Sequence, residues 1–482
     1  MKLLLFVALC LYFGAVASQT DTPLDIYVNT PDPTYQWTLN GTVHGETYTG
    51  YVLELTSQTW MTEANSSRPV WKHWLSICVP NQVNSDKAFI YIDGGSNENW
   101  KTPSEIDSTI LIACVSSQSI TAGLNQIPNQ PIMFADGVNR VEDALIAYTW
   151  RHFINNTDEP IWLARLPMTK AVVRAMDAIQ EFGKQVPFQV DGFIIAGASK
   201  RGWTTWTTAA VDPRVVACVP IVMPILNMIP NMLNQWRAYG NWSFALNDYT
   251  NEGVMSFIDS PQMEALAGVV DPYTYLDRLT MPKYLITSAG DEFFLPDSPQ
   301  FFFNQLKGEK HLRIVPNAEH SLVGHQTDII LSIVTFLKMF SNNQTRPDFS
   351  YQVVYNTNTT ATITLTPTPG TPLPTKVKVW DARTESTTRR DFRLITCQDP
   401  TKCIQFVIWV PTDVQPNSQG TYSVTLSAPP TGWRGFFLEA SYETQNGIDD
   451  EYTLKFTSEV AIVPNTLPYP SCAPDCPNTI GQ

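Results

Sequence analysis

Histidine is scarce in this chain, with 6 residues among 482. Positive charge is also short: Lys and Arg number 31 against 45 Asp and Glu, a formal net charge of −14. An acidic chain repels phosphate backbones and anionic lipid, which argues against nucleic acid as a partner. The sequence has no Gly-x-x-x-x-Gly-Lys-Ser/Thr phosphate loop, no dinucleotide fingerprint and no His-Glu-x-x-His. Its cysteine and histidine spacings do not make a zinc site. No cofactor and no metal are therefore expected. After the first residues no apolar run approaches membrane-spanning length, so no membrane insertion is expected. The end, Pro477 to Gln482, carries no apolar tail for a lipid anchor. No solenoid-length repeat is present.

The start is different. Met1-Lys2 precedes an apolar run from Leu3 to about Val16, and Ala15-Val16-Ala17 has the small-x-small form of a signal-peptidase site. Residues 1–17 read as a cleaved signal peptide, which implies a secreted, extracellular protein. Asn-x-Ser/Thr triplets at Asn40, Asn65, Asn155, Asn241, Asn343 and Asn358 are glycosylation candidates, expected on exposed loops. An oxidising compartment favours disulfides. Cys397 and Cys403 flank a short loop, as do Cys472 and Cys476, and these pairs are expected to close. Cys78, Cys114 and Cys218 sit in apolar, strand-like runs and read as small buried hydrophobes.

Thr22 to Trp37 reads as extended. Residues 47–55, 74–79, 88–92, 109–115, 192–196, 215–222, 283–287 and 312–315 read as strands, the shorter ones being apolar runs bounded by turn signals. Helical spacing marks 138–153, 168–182, 201–210 and 327–340. This alternation predicts a mostly parallel, doubly wound α/β sheet. The irregular, Met- and Trp-rich stretch at about 224–270 reads as a cap insertion. After Ser341 the spacing becomes alternating, and Thr, Pro and Val dominate. Residues 344–482 are expected to form a small C-terminal all-β sandwich with a Cys-containing tail, beside a first domain of residues 18–343.

Gly197-Ala198-Ser199-Lys200-Arg201-Gly202 follows a strand and opens a helix. Small residues around a Ser at a strand–helix turn are what a nucleophile elbow needs, although the spacing is one residue longer than Gly-x-Ser-x-Gly. An ordinary turn with a Ser cap is the competing reading. A serine hydroxyl needs an imidazole to take its proton and a carboxylate to orient that imidazole. The α/β-hydrolase order is Ser, acid, His. Asp291 is the first carboxylate past strand 283–287, with Glu292 and Asp297 as rivals. Of the histidines after it, His311 opens a strand and His325 opens the last helix, whereas His320 lies in the loop between them. The backbone N–H of Lys200 is one candidate oxyanion donor, and the Asp93-Gly94-Gly95-Ser96-Asn97 turn, through Gly95 or Ser96, is the second. Trp203, Trp206, Trp236 and Trp242 read mainly as core.

Gly94-Gly95-Ser96-Asn97, the Ser199 turn, Gly290-Asp291-Glu292-Phe293-Phe294-Leu295-Pro296-Asp297, Asn317-Ala318-Glu319-His320-Ser321-Leu322 and the opening Pro23 to Val28 resemble the PhoPQ-activated pathogenicity-related family over nearly the whole mature chain. The resemblance implies an α/β-hydrolase-like fold, similar in its catalytic half to dipeptidyl-peptidase-type serine peptidases. The family also has a secreted eukaryotic branch with an extracellular signal that represses proliferation. Two functions are thus expected: a secreted serine hydrolase acting on a peptide or ester, or a receptor-binding autocrine signal with vestigial or secondary catalysis. The leader itself is directly testable. N-terminal sequencing of secreted protein should begin near Ser18, and secreted material that retains Met1 contradicts the reading.

Overall fold

The structure is a computed structural model that describes residues 21–98, 100–186, 188–399, 401–443 and 453–481. The leader expected at residues 1–17 lies outside them. The central feature is a nine-stranded sheet in the order β1-β2-β3-β5-β4-β8-β9-β10-β11. Its strands are β1 (Gln36–His44), β2 (Tyr48–Thr59), β3 (Val70–Pro80), β4 (Lys87–Ile92), β5 (Thr121–Leu124), β8 (Gly192–Ala198), β9 (Val215–Ile221), β10 (Lys283–Ser288) and β11 (Lys310–Val315); β6 (Ile132–Met133) and β7 (Asn139–Arg140) form a separate ribbon. From β5 through β4 to β11 every pairing is parallel, and β1 to β3 add an antiparallel edge.

The apolar runs are continuous because both faces of these strands are covered. In β8, Phe193 and Ile195 pack on one side with helices Arg165–Phe182 and Lys200–Val211, while Ile194 and Ala196 pack on the other with helix Gln326–Ser341. Alternate residues thus enter opposite cores, as the strand period of two requires. This is the α/β-hydrolase fold. Between β9 and β10 the chain leaves the sheet for helices Met228–Tyr239, Asn247–Asn251 and Pro261–Val270.

Beyond the last helix lie a three-stranded and a five-stranded antiparallel sheet, the latter counting the strand Ala461–Val463 that pairs beside Arg434–Glu443. They do not stand apart from the first core. Leu438, Leu454 and Phe456 share a cluster with Ile333, Val334 and Phe336 of helix Gln326–Ser341. Ile314 of β11 donates its N–H to Thr457 Oγ1 at 3.1 Å.

Two expectations are corrected. Residues 109–115 are not a strand but part of helix Ser108–Ser117, capped by Asp107, with Ile110, Ala113, Cys114 and Ser117 buried on one face. A short apolar run fits either period, and the cap decides. Thr22 to Trp37 is not extended throughout. Pro23–Asn29 is a helix whose capping box joins Thr22 and Asp25, and β1 begins at Gln36.

Cys78 and Cys114 are not separate buried hydrophobes. The helix places Cys114 over β3, and the two form a disulfide spanning 36 residues. Cys397–Cys403 and Cys472–Cys476 also pair, and Cys218 is free and buried. A cross-link of that span restricts the unfolded chain most. The double variant Cys78→Ser with Cys114→Ser should lose about 3–4 kcal/mol in urea unfolding; an unchanged midpoint contradicts this.

Candidate active site

Ser199 follows β8 directly, at the N-cap of helix Lys200–Val211, with φ 56° and ψ −126°, a conformation an L residue rarely takes. The flanking glycines permit it. A Cβ on Gly197 would stand 2.7 Å from the Arg201 carbonyl oxygen, and one on Gly202 would stand 2.8 Å from that of Ile221. The longer Gly-x-Ser-x-x-Gly spacing therefore serves the packing of the helix's first turn onto β9.

The strained turn aims Ser199 Oγ at His320 Nε2, 2.8 Å away. His320 Nδ1 lies 3.0 and 2.9 Å from the two Asp291 carboxylate oxygens. Because a carboxylate only accepts, Nδ1 carries the proton and Nε2 is free to receive one from Ser199. Asp291 is 1% exposed and His320 9%. The Asp291 carboxylate also accepts the backbone N–H of Phe293 at 2.7 Å, which fixes its orientation. Burial opposes a charged imidazole, but the Asp291 carboxylate, assisted by Glu292, outweighs it and raises the His320 pKa.

The rivals have other partners. Glu292 Oε2 accepts the backbone N–H of His320 at 3.0 Å, and burial beside Asp291 pushes its pKa up to about 7. Asp297 is ion-paired with Arg390 at 2.8 Å. His311 Nε2 meets Glu309 at 2.9 Å and its ring stacks on Phe456. His325 sits at the N-cap position of helix Gln326–Ser341, and its Nε2 lies 3.3 Å from the Asn317 carbonyl oxygen. A second Ser–His contact exists at 2.8 Å between Ser57 and His73, but both are closed off from solvent, and His73 Nδ1 faces the Asn125 carbonyl rather than an acid.

Lys200 begins the helix after Ser199, so its N–H has no intrahelical acceptor. Ile92 of β4 pairs with Gly197 of β8, which brings the Asp93–Asn97 turn out of the sheet beside Ser199. Gly95 has φ 122°. Arg201 ties this turn to the elbow: its guanidinium grips Glu142 at 2.7 and 2.6 Å and packs against Gly94, where a Cβ would collide with it. Gln130 Nε2 in turn donates to the Gly95 carbonyl at 3.0 Å. The Lys200 ammonium is held by Glu142 at 2.8 Å and Asp143 at 3.0 Å.

The role of the C-terminal half was not legible in the sequence. Leu394 donates its N–H to the Gly290 carbonyl at 3.0 Å, one residue before Asp291. Asn317, three residues before His320, exchanges two hydrogen bonds with the Trp409 backbone at 2.9 and 2.8 Å. No local motif near 394 or 409 announces such contacts. Of the tryptophans, Trp203 borders the cavity beside Ser199, whereas Trp206 and Trp242 are core. Among the sequon residues, Asn40, Asn155, Asn343 and Asn358 are exposed, and Asn65 and Asn241 are half-buried. Asn40 lies in β1 and Asn155 ends helix Glu142–Asn155, so these two are not on loops.

The sheet order and the Ser, Asp, His order along the chain define an α/β-hydrolase-fold protein. A profile described as PhoPQ-activated pathogenicity-related protein matches residues 24–393, and the chain belongs to that family. It is 65% identical over 477 residues to autocrine proliferation repressor protein A of Dictyostelium discoideum, covering 98% of this chain and 96% of that one. It is 26% identical to acetyl esterase Axe7A of Xylanibacter ruminicola over 154 residues, 31% of each chain. The solved structure of acetyl xylan esterase 1 from Thermoanaerobacterium sp. aligns at a TM-score of 0.44 and 16% identity, over 65% of this chain and 93% of that one.

Any reaction that needs neutral His320 should gain rate as pH rises through its raised pKa, above the ordinary value of about 6.5. Glu292→Gln keeps an acceptor for the His320 N–H and removes a charge that favours imidazolium. Its acid limb in kcat/KM should move to lower pH; an unmoved or raised limb contradicts this.

Proposed function

We propose that the protein is a secreted serine hydrolase of the esterase type. The observation that supports this most is the unbroken hydrogen-bond chain Ser199–His320–Asp291, which opens on an apolar cavity. Ser199 Oγ attacks the ester carbonyl as its proton passes to His320 Nε2. Asp291 keeps the imidazole in the right tautomer and stabilises its charge. The oxyanion takes the Lys200 N–H and a second donor from the Gly95–Ser96 turn. His320 then protonates the leaving alcohol, and water, activated by the same imidazole, releases the acid from the acyl-enzyme.

The leader and the sequons support export and glycosylation. A second reading rests on the 65% identity to a protein named as an autocrine proliferation repressor: the chain acts as an extracellular signal through a cell-surface receptor. The two are compatible, and one variant separates them. Ser199→Ala should cut hydrolysis of p-nitrophenyl esters by about 10,000-fold or more, with Asp291→Asn less severe. Wild-type rates in Ser199→Ala overturn the hydrolase reading. Full proliferation control by the same variant makes the signal independent of catalysis.

A further inference from the structure

The cavity beside Ser199 has a distinctive lining. Met223, Met228, Met232, Met255 and Met263 border it, all five on the segment between β9 and β10 that covers the site, and Trp203 and Phe293 line it as well. Of the charged residues at its edge, Asp143 and Lys200 pair with one another, whereas Arg165 bonds a backbone carbonyl and its Nε, like the Trp150 Nε1, makes no hydrogen bond. Asp143 is paired with Lys200 at 3.0 Å and accepts the Tyr249 hydroxyl at 3.1 Å. Arg165 gives Nη1–H to the Lys200 carbonyl at 2.8 Å and lays its guanidinium over the Trp203 ring. Trp203 spends its own N–H on the Val270 carbonyl at 2.6 Å. What faces the cavity is thioether, alkyl and aromatic surface.

A peptide amide or a sugar hydroxyl placed there would lose its water partners and find few replacements, which is costly. A hydrocarbon chain would gain on every methylene buried. The cavity measures about 50 Å³, enough for about three to five water-sized groups, given about 10–15 Å³ for each. Methionine side chains adjust to the shape of an unbranched chain without a large rotamer penalty.

Resting on the hydrolase reading above, we infer that this cavity is an acyl pocket for short, unbranched apolar acyl chains of about four carbons, so that the substrates are short-chain fatty acyl esters rather than peptides. The ester carbonyl sits at Ser199 Oγ, the hydrocarbon tail enters the methionine-lined cavity, and the alcohol leaves on the solvent side. Chain length is read as a difference in transition-state binding, at about fourfold per methylene buried.

The test is a p-nitrophenyl ester series from acetate to dodecanoate, with a peptide p-nitroanilide for comparison. The expected kcat/KM rises roughly 15-fold from acetate to butanoate, two methylenes at about fourfold each, and falls by dodecanoate. Filling the pocket with Met263→Trp, or with Met232→Trp if the first does not fold, should lower the butanoate-to-acetate ratio at least fivefold. Acetate as the best ester, a continuous rise to dodecanoate, a faster p-nitroanilide, or an unchanged ratio in the folded variants overturns the pocket assignment while Ser199-dependent turnover keeps the hydrolase. An enzyme that cleaves none of these compounds overturns both.

Discussion

The strained backbone of Ser199 is the constraint on which the site depends. Its φ of 56° turns the chain sharply from β8 into helix Lys200–Val211 and lifts the hydroxyl off the end of the sheet. Conformations of this kind persist only where the surroundings over-determine them. Here the determinants are close backbone contacts at Gly197 and Gly202, parallel pairing of β8 with β4 and β9, and the Glu142–Arg201 clamp on the neighbouring turn. The same turn that exposes the hydroxyl leaves the Lys200 N–H unclaimed by the helix, so the proposed nucleophile and the proposed oxyanion donor arise from one local geometry.

The two remaining members of the cluster hang on loops, and loops need support. Asp291 follows β10 and His320 follows β11, strands paired in register from Lys283 with Lys310 to Ser288 with Val315. That register brings the loops out side by side. The C-terminal half then ties both of them, through Leu394 at the acid loop and Asn317–Trp409 at the histidine loop. Gly290 shows how close this approach is, because a Cβ there would stand 2.5 Å from Leu394 Cγ. The C-terminal sheets and their long connection thus do structural service at the site, whatever else they bind.

Much of this was legible in the sequence because the signals were local. A strand, a small-residue turn and a helix around Ser199 are contiguous, and chain order with strand position favoured Asp291, with Glu292 and Asp297 as rivals, and His320 over His311 and His325. The rivals have other partners: Glu292 faces the His320 backbone and Asp297 faces Arg390. What stayed hidden was long-range. The Cys78–Cys114 bond joins a strand to a helix that periodicity read as another strand. The Thr384–Trp409 connection meets the acid and histidine loops largely through the backbone groups of Leu394 and Trp409, which leave no mark in side-chain pattern. The apolar cavity is assembled from scattered methionines that a sequence scan reads as core.

The central claim is that Ser199 is an activated nucleophile, and covalent capture addresses it most directly. Intact-mass analysis after treatment with a fluorophosphonate should show one adduct per chain, located by peptide mapping on Ser199 and absent from His320→Ala. No adduct under conditions where the protein stays folded, or an adduct on a different serine, contradicts the account.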